Sequence, residues 1–178
     1  MRGAIDAEQF EELYGATVRD VLAYAHRRGA ASAEDLAAEV YVVAWRRRAD
    51  LPAPMLRRAW LFGVARTLLK ADGREQRRDR ELANELAARP EPSTDPPRSD
   101  RRASVVAAAV ARLPPNDREV LQLVAWEGLS PAELAVALGV RPGTARVRLH
   151  RARQTLASDP AIRALVAEPT ATVTTAIG

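Results

Sequence analysis

The chain has 178 residues, a formal net charge of +4, 47% hydrophobic and 28% charged residues and only 4% aromatics, a globular balance whose core must be mostly Ala, Leu and Val. No cysteine and two histidines exclude a disulfide framework, thiolate-zinc sites and a cysteine nucleophile, and argue against a His-rich metal centre, so no cofactor is expected. No apolar run approaches the ~20 residues that span a bilayer and the N-terminus lacks a signal-peptide hydrophobic region, so the expected location is cytoplasmic, without membrane insertion.

The pattern predicts an all-α protein of two small helical domains joined by a flexible linker. The first half, residues 1–80, reads as three helices. Phe10, Leu13, Tyr14, Thr17, Val21 and Tyr24 share one face of a helix ending near Gly29. Ser32, followed three residues later by Asp35, opens a second helix running to about Arg47. Asp50 to Pro54 break the pattern, and a third helix runs from about Leu56 to Arg80. Residues 81–102 hold a proline-rich stretch with no apolar periodicity, read as a linker. Such a linker coils to about 25 Å and extends to at most ~70 Å, so the halves can reach sites well apart.

In the second half, residues 103–158, Val105, Val106, Ala109 and Val110 build a helix that stops at Pro114-Pro115. Asn116 and Glu119 box the start of the next, ending at Gly128. Ser130-Pro131-Ala132-Glu133 supplies an N-cap, an N1 proline and an N3 glutamate for a short helix ending at Gly139. Pro142 opens a last helix to about Leu156. A short helix, a glycine-containing turn and an Arg-rich helix form the helix-turn-helix pattern. Residues 159–178 read as a tail, small, weakly polar and frayed from Thr170 to Gly178.

Charge is concentrated in two blocks. Residues 51–80 carry eight basic and three acidic residues, and residues 141–158 carry five arginines and no acid, as two separate polyanion contacts would. On the last helix Ala145, Leu149, Ala152 and Leu156 form an apolar back, while Arg146, Val147, His150, Arg151 and Gln154 form the front. Such a front supplies donors for guanine edges and phosphates. On the third helix Leu61, Val64, Ala65 and Leu68 point inward, and Arg66, Lys70, Arg74 and Arg77 make a cationic stripe with Gly63 and Thr67 between them. That stripe suits a backbone track. Trp60 and Phe62, beside the Pro52–Pro54 loop, are positioned either to stack on unpaired bases or to fill the core. The second helix turns Leu36, Val40 and Val43 inward, yet Ala38, Tyr41, Val42 and Trp45 populate the opposite side. Periodicity leaves two readings open, a central helix or an apolar patch for a protein partner.

The runs Asp35 to Trp45 and Trp60 to Arg66 resemble the second conserved domain of bacterial RNA polymerase sigma factors. Leu113-Pro114 through Leu121, Glu127 to Ser130 and Gly143 to Arg153 resemble the fourth. Two such domains with only a linker between them resemble the extracytoplasmic-function class. The resemblance implies a non-enzymatic transcription initiation factor whose partners are core RNA polymerase and promoter DNA. It implies that the helix bearing Asp35, Ala38, Glu39, Tyr41 and Trp45 docks on the polymerase clamp helices. It further implies that the loop Ala49 to Leu56 captures an unstacked base of the −10 element, and that Trp60, Arg66, Thr67, Lys70, Arg74 and Arg77 follow the opened strand. The last helix, with Arg141, Thr144, Arg146, Val147, His150 and Arg151, would read the duplex −35 element. Members of the class are often held inactive by an anti-sigma protein wrapped over both domains, which makes such a protein a candidate partner.

Four positions depart from the family pattern: Thr67 stands where Asn is frequent, Arg141 where a Ser cap is common, Val147 where Ser is common and Ala38 where Gln is common. An apolar Val147 would favour a thymine methyl over a hydrogen bond. The rival reading is a polymerase-independent helix-turn-helix regulator, distinguished by tight operator binding without polymerase. An enzyme is not expected, because no phosphate loop, nucleophile elbow or metal spacing is present.

Overall fold

A computed structural model describes residues 4–83 and 101–167, with side chains described except at 75–83 and 101. The described residues form eight α-helices and one 3-10 turn, with no strand among them. The linker expected at 81–102 falls, from 84 to 100, outside the described residues, as does the tail from 168. The described chain groups into two compact units, one within Met1–Glu91 and Leu123–Arg146, the other within Pro92–Gln122 and Val147–Gly178.

The first unit is built on α1 (Ala7–Arg27), α2 (Ala33–Arg46), α3 (Arg57–Ala83) and α6 (Pro131–Leu138). Asp6 caps α1 reciprocally with Gln9, and Ser32 accepts from the Asp35 N–H to start α2, tying down otherwise orphaned donors. Pro54–Leu56 forms the 3-10 turn leading into α3. The predicted core residues Val21, Tyr24, Val40, Leu61 and Ala65 are all buried, and so is Phe62, which the sequence leaves open. Phe62 lies stacked on Tyr24 at 5.2 Å between centroids, so it is a core aromatic and is unavailable to bases. Ser130 and Glu133 form the predicted capping box of α6, and Gly139 ends the helix at φ +64, a conformation that a side chain would strain.

Tyr41 overturns the expected outer face of α2. It is buried and hydrogen-bonded at 2.8 Å to Thr17, whose hydroxyl itself donates to the Leu13 carbonyl at 2.6 Å. Because the Thr17 proton is committed, the Tyr41 hydroxyl donates. Burial pushes the Tyr41 phenol up to about 12, keeping that proton in place. Phe10 and Tyr14 meet its ring edge-on.

In the second unit α4 (Arg101–Arg112) packs on α8 (Pro160–Ala167), a helix that the sequence reading does not expect in the tail, while the stretch from Thr170 expected to fray lies outside the described residues. Arg112 grips Asp159 just ahead of α8 with two of its guanidinium nitrogens, Nη2 at 2.8 Å and Nε at 3.2 Å from Oδ2, and this contact holds the Asp159 carboxyl below its usual range. The helix α5 (Pro115–Ala125) begins two residues earlier than a box capped by Asn116 implies, because the Asp117 and Arg118 N–H groups both bond back to the Pro114 carbonyl. Pro115 thus occupies the first helical position, where a missing N–H costs nothing. The Arg-rich helix expected from Pro142 is α7 (Pro142–Ala157).

Candidate nucleic-acid and polymerase surfaces

The two sides of α7 separate as the sequence pattern demands. Ala145, Leu149 and Ala152 are buried and Leu156 is half-buried, whereas Arg146, Val147, His150, Arg151 and Gln154 are exposed. Arg141 and Thr144 are also exposed, at its start. Val147 is 68% exposed, an apolar side chain with no structural reason to face water. Arg151 differs from its neighbours, since its Nη2 donates to the Asp117 carboxylate at 3.0 Å.

On α3, Thr67, Lys70 and Arg74 are exposed, Arg66 and Trp60 are half-buried, and the side chain of Arg77 lies outside the described residues. The Thr67 hydroxyl donates to the Gly63 carbonyl at 2.8 Å, which turns its polar group back onto the helix. Arg47 stands over the Trp60 ring at 5.6 Å. Ahead of α3, Ile5, Arg48, Leu51, Pro54 and Arg57 line a cleft of about 370 Å³ in the loop 49–56. The lining is mostly apolar, and its two arginines are tied back, Arg48 to the Trp45 carbonyl at 3.2 Å and Arg57 to the Pro52 carbonyl at 3.4 Å.

The α3 stripe is not wholly open. The helix α6 packs on it, so closely that a Cβ at Gly63 would meet the Ala137 carbonyl oxygen at 3.0 Å. Arg66 Nε is buried without a hydrogen-bond partner in the described structure. Just before α6, Glu127 anchors the seat. Its carboxylate, 1% exposed, takes a hydrogen bond from Arg27 Nη2 at 2.5 Å, and its main-chain carbonyl takes one from Arg58 Nη1 at 2.8 Å. Arg58 is itself held by Asp20 at 2.5 Å, and Arg28 stands 5.7 Å over Trp126. Sequence reasoning missed Arg27, Arg58 and Glu127. Their partners lie 100 and 69 residues apart along the chain, beyond any helical periodicity.

On α2, Asp35, Ala38 and Glu39 are exposed, as are Val42 at 46% and Trp45 at 39%. With Tyr41 withdrawn into the core, the outward apolar patch reduces to Val42 and Trp45, flanked by Tyr14 of α1. Phe10 meets Trp45 edge-on at 5.0 Å and Arg48 covers it at 4.5 Å, so the indole is fixed in place while still reachable.

Among the described residues no helix is long and apolar enough to cross a membrane. Residues 104–156 match the family model "Sigma-70, region 4". The chain is 35% identical over 133 residues to the "ECF RNA polymerase sigma factor SigL" of Mycobacterium tuberculosis, covering 71% of this chain and 73% of that protein. It is 32% identical over 146 residues to the "Probable RNA polymerase sigma factor RfaY" of Xanthomonas campestris pv. campestris, where the match covers 78% of this chain but only 36% of that longer protein. In fold it is similar to the sigma factor RpoE of Bartonella quintana, solved in complex with the anti-sigma factor NepR: the TM-score is 0.65 at 20% identity, covering 92% of this chain and 100% of that one. On the SigL match above all, this chain belongs to the extracytoplasmic-function family of RNA polymerase sigma factors.

Proposed function

We propose that this chain brings core RNA polymerase to promoters bearing two elements, reading the duplex −35 element with α7 and holding the opened −10 strand with the loop 49–56 and α3. The observation that carries this reading is the sorting of α7, with an apolar side buried and a side of Arg146, Val147, His150 and Arg151 turned to solvent. A helix so divided can lie in a major groove without disturbing its own core. Val42 and Trp45, with Asp35, Ala38 and Glu39 beside them, supply the patch for the polymerase clamp helices. The chain adds no chemistry of its own, and the polymerase makes the phosphodiester bonds.

The seat of α6 on α3 adds a step to this reading. Thr67, Lys70 and Arg74 are accessible while α6 rests at Gly63, but a strand running along the whole stripe would meet α6 at Ala137. Strand capture therefore follows release of α6 from α3. An anti-sigma protein is the partner expected to oppose polymerase, as NepR is bound to RpoE. Run-off transcription with purified core enzyme tests the reading. Specific start sites that depend on both components are expected. Core that initiates no differently with the chain than without it, or tight operator binding by the chain alone, would refute it.

A further inference from the structure

The front of α7 carries one arginine whose direction is set from beneath the surface. Arg151 Nη2 lies 3.0 Å from Asp117 Oδ1, and the two side chains differ sharply in exposure, 63% for Arg151 and 6% for Asp117. A carboxylate so enclosed cannot follow a moving partner, so the guanidinium must come to it. Asp117 sits in the first turn of α5, where free N–H groups and the helix dipole favour a negative charge. The corner it projects from is braced, since Arg118 donates to the carbonyls of Ala111 and Leu113 across the α4–α5 turn. Both partners belong to the same compact unit.

Arginine carries five N–H donors in one plane. With one terminal nitrogen committed to Asp117, the remaining exposed donors are held to a narrower range of planes and directions. The pairing has a second effect: it cancels much of the charge that would draw Arg151 toward any phosphate. Orientation is what a forked contact to a base edge needs, and charge is what a phosphate contact needs. We infer that Asp117 is a positioning residue, which turns Arg151 from a general phosphate contact into a base-edge reader and so sets selectivity at one base pair of the upstream element without touching DNA. This rests on the reading of α7 as the recognition helix.

The test uses holoenzyme assembled from the full chain and core polymerase. Competition binding against promoter duplexes with every single base-pair change in the −35 element is measured across a salt series. Asp117→Asn lowers the preference at one position by about tenfold. Arg151→Ala acts at that same position, and the double variant loses nothing further. Asp117→Asn also steepens the salt dependence by about one counterion, because the released guanidinium gains a phosphate. A uniform loss on all sequences, with preference intact, would make Asp117 a structural brace and overturn the proposal. If Arg151→Ala removes the preference while Asp117→Asn keeps it, positioning alone falls. If Arg151→Ala changes no preference, this proposal and the reader role of Arg151 fall together. Should Asp117→Asn not fold, Arg151→Lys decides. It keeps the charge but not the planar fork, so preference at that base pair drops, and full retention would overturn the proposal.

Discussion

Gly63→Ala separates the seating of α6 from the stability of α3. The new Cβ would stand 3.0 Å from the Ala137 carbonyl oxygen, a backbone atom that cannot rotate aside. Either α6 shifts outward or the contact is lost, and overpacking of this kind costs ~1–3 kcal/mol. Against that, alanine in a helix interior is favoured over glycine by ~0.5–1 kcal/mol. The second effect is common to seated and released states, because α3 is helical in both, so it cancels from the equilibrium between them. The seated population should therefore fall about 5- to 150-fold relative to the released one, with 1.4 kcal/mol per factor of ten. The chain has no cysteine, so dyes placed through Ala71→Cys on α3 and Ala132→Cys on α6, both exposed positions, report the separation alone. Single-molecule energy transfer should show the short-distance population shrink in Gly63→Ala, with the thermal unfolding of α1 to α3 unimpaired. An unchanged short-distance population would refute the close approach of α6 to Gly63 on which the release step depends.

Glu127→Gln keeps the shape of the seat but replaces an ion pair by a neutral hydrogen bond; with Arg27 about a third exposed, screening limits the loss to ~1–2 kcal/mol. The same dye pair should report it, and a shift no larger than that of an exposed control such as Glu34→Gln would contradict the anchoring role. Tyr41→Phe removes the donor to Thr17 and should destabilise the protein by ~0.5–1.5 kcal/mol in urea denaturation. The Tyr41 phenol is raised from 10.0 to about 12, so the neutral form belongs to the folded state. Its contribution is complete below pH 10 and is lost as pH climbs toward 12, and Tyr41→Phe should flatten that loss in alkaline melts. Arg146→Ala should cost ~1–3 kcal/mol on the cognate −35 sequence and less on altered ones, whereas Arg74→Ala should weaken all promoters alike and flatten the salt dependence. Equal, sequence-blind losses from both would contradict the division between reader and track.

Local chemistry made much of the fold legible. Ser130-Pro131-Ala132-Glu133 announces its helix because capping is settled within four residues, and the apolar back of α7 follows from helical spacing alone. The failures share a different cause. Spacing says which residues share a face, and it does not say how many neighbours cover a helix. Spacing puts Tyr41 away from Leu36 and Val40 and leaves open whether that side is covered, and α1 covers it with Phe10, Tyr14 and Thr17. The helix α8 carries a local start signal, Asp159 ahead of Pro160, but it is only eight residues long and is held by Arg112, 47 residues earlier, which grips Asp159 at its start. Glu127 and Asp117 each look like solvated acids in sequence. Only the arginines that the fold brings to them, Arg27 and Arg151, reveal a seat and a positioning contact.

The proposed function requires two separate surfaces of one chain to select promoter DNA once polymerase is bound. Selection of binding sites from a randomised duplex pool by holoenzyme tests it most directly. Two motifs at a fixed spacing should be enriched, with Arg146→Ala erasing information from the upstream motif only. A single motif selected equally well by the chain without polymerase would contradict it.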